Sequence, residues 1–284
     1  MPIRPHRSVL YMPGSNARAL EKARTLPADA LILDLEDAVA PGAKEEARVQ
    51  VCAAVAARAF GAREIVVRIN ALSTAWGEAD LAAALEARPD AILIPKVSGA
   101  NDIHGADTRG IALWAMVETP RAILDIAAIA GAGGTLACLV MGTNDLVKDL
   151  RALPMRHREN LAPALALSVA AARANGLAII DGVYNDIADA DGFRESCAEA
   201  RAFGFDGKTL IHPSQIEICN ETFAPRPADV EAARNIIAAF ERPENAGKGA
   251  IALDGRMVER LHAEQARETV ALADAIAARE NILT

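Results

Sequence analysis

Ile111-Ala-Leu-Trp-Ala-Met-Val-Glu-Thr-Pro-Arg121 is an apolar run of strand length that ends on a carboxylate, Glu118. Thr119-Pro120 then opens a helical pattern. An apolar strand that runs into an acid at a strand-to-helix corner is where α/β enzymes keep their chemistry. A second corner of the same kind follows, Leu139-Val-Met-Gly-Thr-Asn-Asp145. The pair suggests that Glu118 and Asp145 share a divalent metal.

Working outward from these corners, short apolar runs alternate with Ala-rich helical segments. Candidate strands are Ser8–Met12, Ala30–Leu35, Glu64–Asn70, Ala91–Lys96, Ile111–Glu118, Leu136–Met141, Leu177–Asp181 and Gly207–Ile211. Helical patterns follow most of them, the last being Ser214–Asn220 with Ala228–Phe240. Regular alternation of this length predicts an α/β (β/α)8 TIM barrel over residues 1–241, in preference to a doubly wound open sheet. The segment Val97–Gly110 has no convincing apolar period, so the fourth helix is expected to be very short or missing. Residues 242–284 read as a Pro/Gly-containing linker, a short strand ending at Asp254-Gly255, and an amphipathic helix over Met257–Ala278. That extension is too small to fold alone and is expected to pack on the barrel or on a neighbouring subunit.

The 284 residues are 52% hydrophobic and only 4% aromatic, and carry a net charge of −8. This composition argues against nucleic acid as a partner, because neither basic surface nor aromatic stacking platforms are supplied. No apolar run is long enough to span a membrane, and Met1-Pro-Ile-Arg-Pro-His-Arg7 has no apolar stretch behind it. Cys52, Cys138, Cys197 and Cys219 have no metal-binding spacing. The expectation is a cytoplasmic protein with reduced thiols.

The C-terminal strand ends of a barrel converge on one face. Here they read Tyr11-Met-Pro-Gly14, Asp34-Leu-Glu-Asp37, Arg68-Ile-Asn70, Pro95-Lys96, Glu118, Asn144-Asp145, Asp181 and Ile211-His212. Asp34, Glu36, Asp37, Glu118 and Asp145 are too many carboxylates to crowd together without a cation. Mg2+ suits such a set, being a hard ion that needs one or two direct carboxylates and keeps several waters; Mn2+ is the substitute. The bland reading of single acids is that Asp34 and Asp37 cap a helix or pair with Lys44. Arg68 could pair with Asp34 or grip a substrate carboxylate or carbonyl. Lys96 is read as a structural ion pair. Met12–Asn16, with Lys22 and Arg24 in the helix behind it, is a weak phosphate signal. His212 opens a helix start. No nucleophile elbow is present, so covalent acyl-enzyme chemistry is not supported.

Several of these stretches, in order, resemble the citrate lyase β-subunit-like enzymes of the HpcH/HpaI aldolase superfamily. They are Arg7–Asn16, Leu33–Pro41, Val67–Asn70, Ile94–Lys96, Met116–Pro120 and Gly207–Gln215. Val140–Leu146 and Asp181–Asp186 are most similar to a malyl-CoA thioesterase subgroup. The resemblance implies a Mg2+-dependent enzyme, trimeric or hexameric, acting on a coenzyme A thioester. It implies Glu118 and Asp145 as direct metal ligands, with Asp34, Glu36 or Asp37 holding the metal's waters. It also implies Arg68 as the grip on the substrate. Tyr11, Asn16, Lys22, Asn144, Ile211 and His212 would line the CoA and acyl site. Family lyases bring an Asp from the tail into a neighbour's active site. Here the matching residue in Asp254-Gly-Arg-Met-Val-Glu259 is Glu259. The first expectation is retro-Claisen cleavage of a β-hydroxyacyl-CoA such as (3S)-malyl-CoA or citramalyl-CoA, with Glu259 as base. The alternatives are thioester hydrolysis of (3S)-malyl-CoA and a non-catalytic CoA-ester-binding subunit.

Overall fold

The computed structural model describes residues 4–283, without the side chains of residues 281–283. Eight parallel strands close a barrel in sequence order. They are β1 (Ser8–Pro13), β2 (Ala30–Asp34), β3 (Glu64–Arg68), β4 (Ala91–Ile94), β5 (Ala112–Val117), β6 (Leu136–Met141), β7 (Ala178–Asp181) and β8 (Gly207–Leu210). The helices between them are α1 (Ala17–Ala23), α2 (Lys44–Ala56), α3 (Gly77–Ala87), α4 (Ala100–Gly105), α5 (Pro120–Leu124), α6 (Ile126–Ala130), α7 (Thr143–Asp149), α8 (Ala162–Ala174), α9 (Ala190–Phe203) and α10 (Ile216–Phe223). The fold class read from the alternating pattern is therefore the observed one. The fourth helix exists, six residues long.

Local chemistry sets the corners. Thr119 accepts a hydrogen bond from the Ala122 amide, and Pro120 occupies the first helical position, where its missing N–H costs nothing. Asp189 caps α9 in the same way through the Gly192 amide. That helix ends on Gly204, which takes a left-handed φ of 98° that glycine adopts without strain.

Side chains alternate between two cores. Val9, Ile32, Val66, Leu93, Trp114, Met116, Cys138, Val140 and Ile180 fill the barrel interior. Leu10, Leu31, Leu33, Val67, Ile92, Leu113, Leu139, Ile179 and Leu210 face the helices. Trp114 is the bulkiest plug, and the His6 ring stands edge-on against it. This period of two along each strand decides which end residues reach the barrel mouth.

By that alternation Asp181, next to the inward Ile180, points outward into the helix layer. It is fully buried there and accepts from Lys208 Nζ at 2.5 Å and Arg158 Nη1 at 2.7 Å. Arg158 also reaches Glu199 on α9 at 2.9 Å. Burial pushes the Asp181 carboxyl up, but Lys208 and Arg158 outweigh it and hold the group below its usual range. The strand-end reading grouped Asp181 with the site; the structure makes it a tie between barrel wall and helices.

The chain divides into two compact units, His6–Phe223 and a second built from Ala224 onward. The boundary drawn from the sequence at residue 241 is thus displaced. The helix α11 (Pro227–Glu241), read as part of the barrel's outer ring, packs with α12 (Arg260–Leu283), and α10 serves as the helix after β8. The second unit also holds a hairpin, β9 (Ala250–Leu253) and β10 (Arg256–Glu259). Its two turn residues, Asp254 and Gly255, both have positive φ, 49° and 75°, as a type I′ turn requires. Among the described residues, no helix is long and apolar enough to cross a membrane.

Lys208→Met should cost about 3–5 kcal/mol in urea unfolding at neutral pH, because it strips one partner from a buried charge. Asp181 has its folded pKa depressed, so its ionic contribution is present above its unfolded value of 3.8 and lost as pH falls through the folded one. The gap between variant and wild type should therefore narrow in acid. A pH-independent gap would contradict the ionic account.

Candidate active site

At the C-terminal mouth of the barrel lies a cavity of about 340 Å3. Its lining includes Tyr11, Asp34, Asp37, Arg68, Met116, Glu118, Gly142, Asn144, Asp145, Thr209 and Ile211. Parity explains the gathering. Tyr11, Asp34, Arg68 and Glu118 each lie two residues beyond an inward-facing residue: Val9, Ile32, Val66 and Met116.

Arg68 is the fixed cation. Its Nε and Nη2 each donate to an Asp34 oxygen at 2.6 Å, a bidentate pair in which both side chains are nearly sealed from solvent. Nη1 is 3.0 Å from Glu36 and 3.6 Å from Asp37. The guanidinium also lies over the Tyr11 ring, 4.8 Å from its centroid. Burial alone would lower the Arg68 pKa, but Tyr11, Asp34 and Glu36 hold it well above its ordinary value. Each Asp34 oxygen accepts one further bond, from the Glu36 amide at 2.8 Å and the Ala38 amide at 3.1 Å. Asp34 is thereby saturated: it fixes Arg68 and shapes the acid-bearing loop.

That loop is held from beneath. Buried Lys44 does not pair with a carboxylate. It donates to the carbonyls of Leu35 and Glu36 at 2.8 Å each and to Asn70 Oδ1 at 2.7 Å. Asn70 in turn donates to Leu35 O and to Asp80 Oδ2, and Arg48 grips Asp80. Glu36 is pushed up to about 7, first by burial, against the opposing Arg68 and with Asp37 adding to it.

Glu118 is 2% exposed. Oε1 accepts from the Lys96 backbone amide at 2.7 Å. Burial raises its pKa, against the nearby Lys96 and Arg68. A β-carbon at Gly142 would meet the Glu118 side chain, at 2.5 Å from Oε2, so only glycine leaves room for that carboxylate beside β6. Asp145, in the first turn of α7, accepts from Lys96 Nζ at 2.7 Å.

Not every expected residue joins the lining. Asn16 caps α1 through the Ala19 amide and is exposed, as is Lys22. His212 caps the turn before α10, bonded to Ser214. Glu259 lies on β10 in the second unit, its amide donating to His262 Nδ1. Asn144 is present and pairs its amide with Asn185. Sequence reading missed Thr209, which only the parity of β8 would have shown; it read Lys96 as an ion pair, and Lys96 pairs with Asp145.

A closed parallel barrel whose strand ends gather acids, one pinned arginine and one lysine around a cavity has the architecture of a barrel enzyme's active site. The chain belongs to the HpcH/HpaI aldolase/citrate lyase family, whose model matches residues 7–213. A second model, a C–C bond lyase of the TIM-barrel fold, matches residues 155–277. It is 51% identical over 276 residues to a (3S)-malyl-CoA thioesterase of Cereibacter sphaeroides strain KD131, covering 96% of each chain. It is 34% identical to the mitochondrial citramalyl-CoA lyase of Rattus norvegicus, covering 96% of this chain and 87% of that one. Among solved structures it resembles protein CitE of Mycobacterium tuberculosis in complex with magnesium, acetoacetate and coenzyme A. The TM-score there is 0.78 at 29% identity, over 96% of this chain and all of that one.

Because the folded pKa of Glu36 is raised from 4.5 to about 7, the metal-free fold loses stability as pH rises through that window. With chelator present, the melting temperature of Glu36→Gln should therefore gain on wild type from about pH 4.5 to pH 7 and level off above. A constant offset across the window would show that Glu36 ionises freely.

Proposed function

We propose that this enzyme hydrolyses the thioester of a short β-hydroxyacyl-CoA, with (3S)-malyl-CoA as first candidate, using a divalent cation held by Glu118 and Asp145. The observation that carries the substrate and reaction is the 51% identity, over nearly the whole of both chains, to a (3S)-malyl-CoA thioesterase. This reverses the order in which the lyase and hydrolase readings were drawn from the sequence.

The donor set fits Mg2+, with Mn2+ as substitute. Glu118 is a buried carboxylate whose burial penalty exceeds what its cationic neighbours offset. Gly142 leaves room for its carboxylate, which lines the cavity. Among the described residues, no three His, Cys, Asp or Glu side chains form a closed cage. Two direct carboxylates with the remaining positions left to water is the usual Mg2+ arrangement. The magnesium- and CoA-bound CitE structure supports the choice of ion. When bound, the cation supplies Lewis-acid stabilisation of charge at the acyl carbonyl oxygen.

Arg68, immobilised by Asp34, is a positive charge of fixed position for the ligand's carboxylate or carbonyl. Tyr11 and Ile211 give the acyl chain a wall. Glu36 and Asp37, next to Arg68, would orient the attacking water. Glu259, carried in from a neighbouring subunit of a cytoplasmic trimer or hexamer, takes that water's proton. The tetrahedral adduct then expels CoA thiolate and leaves malate.

The lyase reading is the alternative, favoured by the citramalyl-CoA lyase relative. There Glu259 takes the β-hydroxyl proton, and the C–C bond breaks to glyoxylate and the acetyl-CoA enolate. Incubating purified protein with (3S)-malyl-CoA and Mg2+ separates the two. Free CoA with malate is expected; acetyl-CoA with glyoxylate would overturn the hydrolase reading. Neither product with any divalent metal would reject both. Glu118→Ala should lower turnover at least about 100-fold in the same assay.

A further inference from the structure

Strand parity puts Lys96 on the wrong side. In β4, Ala91 and Leu93 face the barrel interior, so the next inward position is Pro95. Lys96 should point to the helices. Instead it adopts a left-handed φ of 55°. A residue with a β-carbon takes that conformation at a cost, and keeps it only where its surroundings enforce it. The turn brings both of its donors into the site. The backbone amide reaches Glu118 Oε1 at 2.7 Å, and Nζ reaches Asp145 Oδ2 at 2.7 Å and Glu36 Oε1 at 3.5 Å.

The site's two cations therefore differ in kind. Arg68 has a side chain only 7% exposed and is pinned twice to Asp34. Lys96 has a side chain 44% exposed on a flexible stem, and its ammonium lies on a carboxylate assigned above to the metal. A strongly hydrated point charge in that position can leave for solvent without disturbing the packed core.

We propose that Lys96 is the resident counter-cation of the metal site, occupying Asp145 in the metal-free enzyme and giving way when the divalent cation binds. This rests on the reading that Glu118 and Asp145 hold that cation. The strained turn is what makes the exchange local: the amide can stay on Glu118 and orient it while only the side chain moves. The site thus keeps its acids neutralised in either state, and metal affinity is set partly by the free energy of displacing an internal competitor.

The test is calorimetric titration of Mg2+ into chelator-stripped protein without substrate. Lys96→Met should bind Mg2+ about tenfold more tightly than wild type, within the usual range of a single coupling. Lys96→Arg, which keeps the charge, should stay within about twofold. Lys96→Gly removes the ammonium from a backbone that glycine adopts freely, so it keeps the test valid should the Met variant fold poorly; it too should bind more tightly. If wild type binds Mg2+ and both uncharged variants bind equally or more weakly, Lys96 supports the metal rather than competing with it, and the inference falls. If none of the proteins binds Mg2+, while Glu118→Ala behaves as wild type, the metal assignment itself falls and takes the inference with it.

Discussion

Five carboxylates, Asp34, Glu36, Asp37, Glu118 and Asp145, stand at one barrel mouth, and among the described residues Arg68 and Lys96 balance them. Like charges at this spacing, partly removed from water, cannot all ionise comfortably. Burial, first of all, displaces Glu36 and Glu118 upward, with neighbouring carboxylates adding to it. The fold resolves the conflict by dividing the labour. Asp34 spends both oxygens on Arg68 and on two backbone amides, so it behaves as scaffold. Glu118 and Asp145 instead share Lys96, through its amide and its ammonium, and are the pair proposed above to hold a divalent cation.

The same constraint explains the supporting layer. Lys44, Asn70, Asp80 and Arg48 form a buried chain of hydrogen bonds beneath the acid loop, and most of its bonds to that loop end on main-chain carbonyls. A lysine on a carboxylate would have neutralised the charge the site needs. A lysine on carbonyls fixes the loop and leaves the Glu36 and Asp37 carboxylates to other partners. Its position over the Trp76 ring, 5.4 Å from the centroid, offsets part of the cost of burying the ammonium.

Much of this was legible in the chain. The apolar run into Glu118, the Thr-Pro cap and the alternation of strand and helix patterns led to the barrel and to its business end. The failures share a physical cause. A strand-end residue faces the cavity or the helix layer according to the parity of the strand, and sequence gives that parity only once the interior residues are known. Asp181 sits one residue past inward Ile180 and so belongs to the helix layer with Lys208 and Arg158. Thr209 has the opposite parity and lines the cavity. Lys96 escapes the rule altogether, because a left-handed turn at a non-glycine residue reverses its direction and no pattern of residue types announces it. The misplaced unit boundary has a different origin: α11 is as amphipathic as a barrel helix, and helix periodicity does not say which neighbour its apolar face will meet.

Thioester hydrolysis and C–C cleavage ask nearly the same of this half of the site. Both need the acyl carbonyl polarised and the acid end of the ligand anchored, and Arg68 with the cation site can serve either. They part at the proton acceptor. Cleavage needs a base on the ligand's own hydroxyl; hydrolysis needs a base one water further out. An Asp replaced by Glu lengthens the reach by one methylene, about 1 Å, a displacement of the size that separates productive from unproductive geometry. Under the proposed function, a longer acid at position 259 favours a proton taken through water, so that the barrel sets which molecules are held and polarised and position 259 sets which bond is broken.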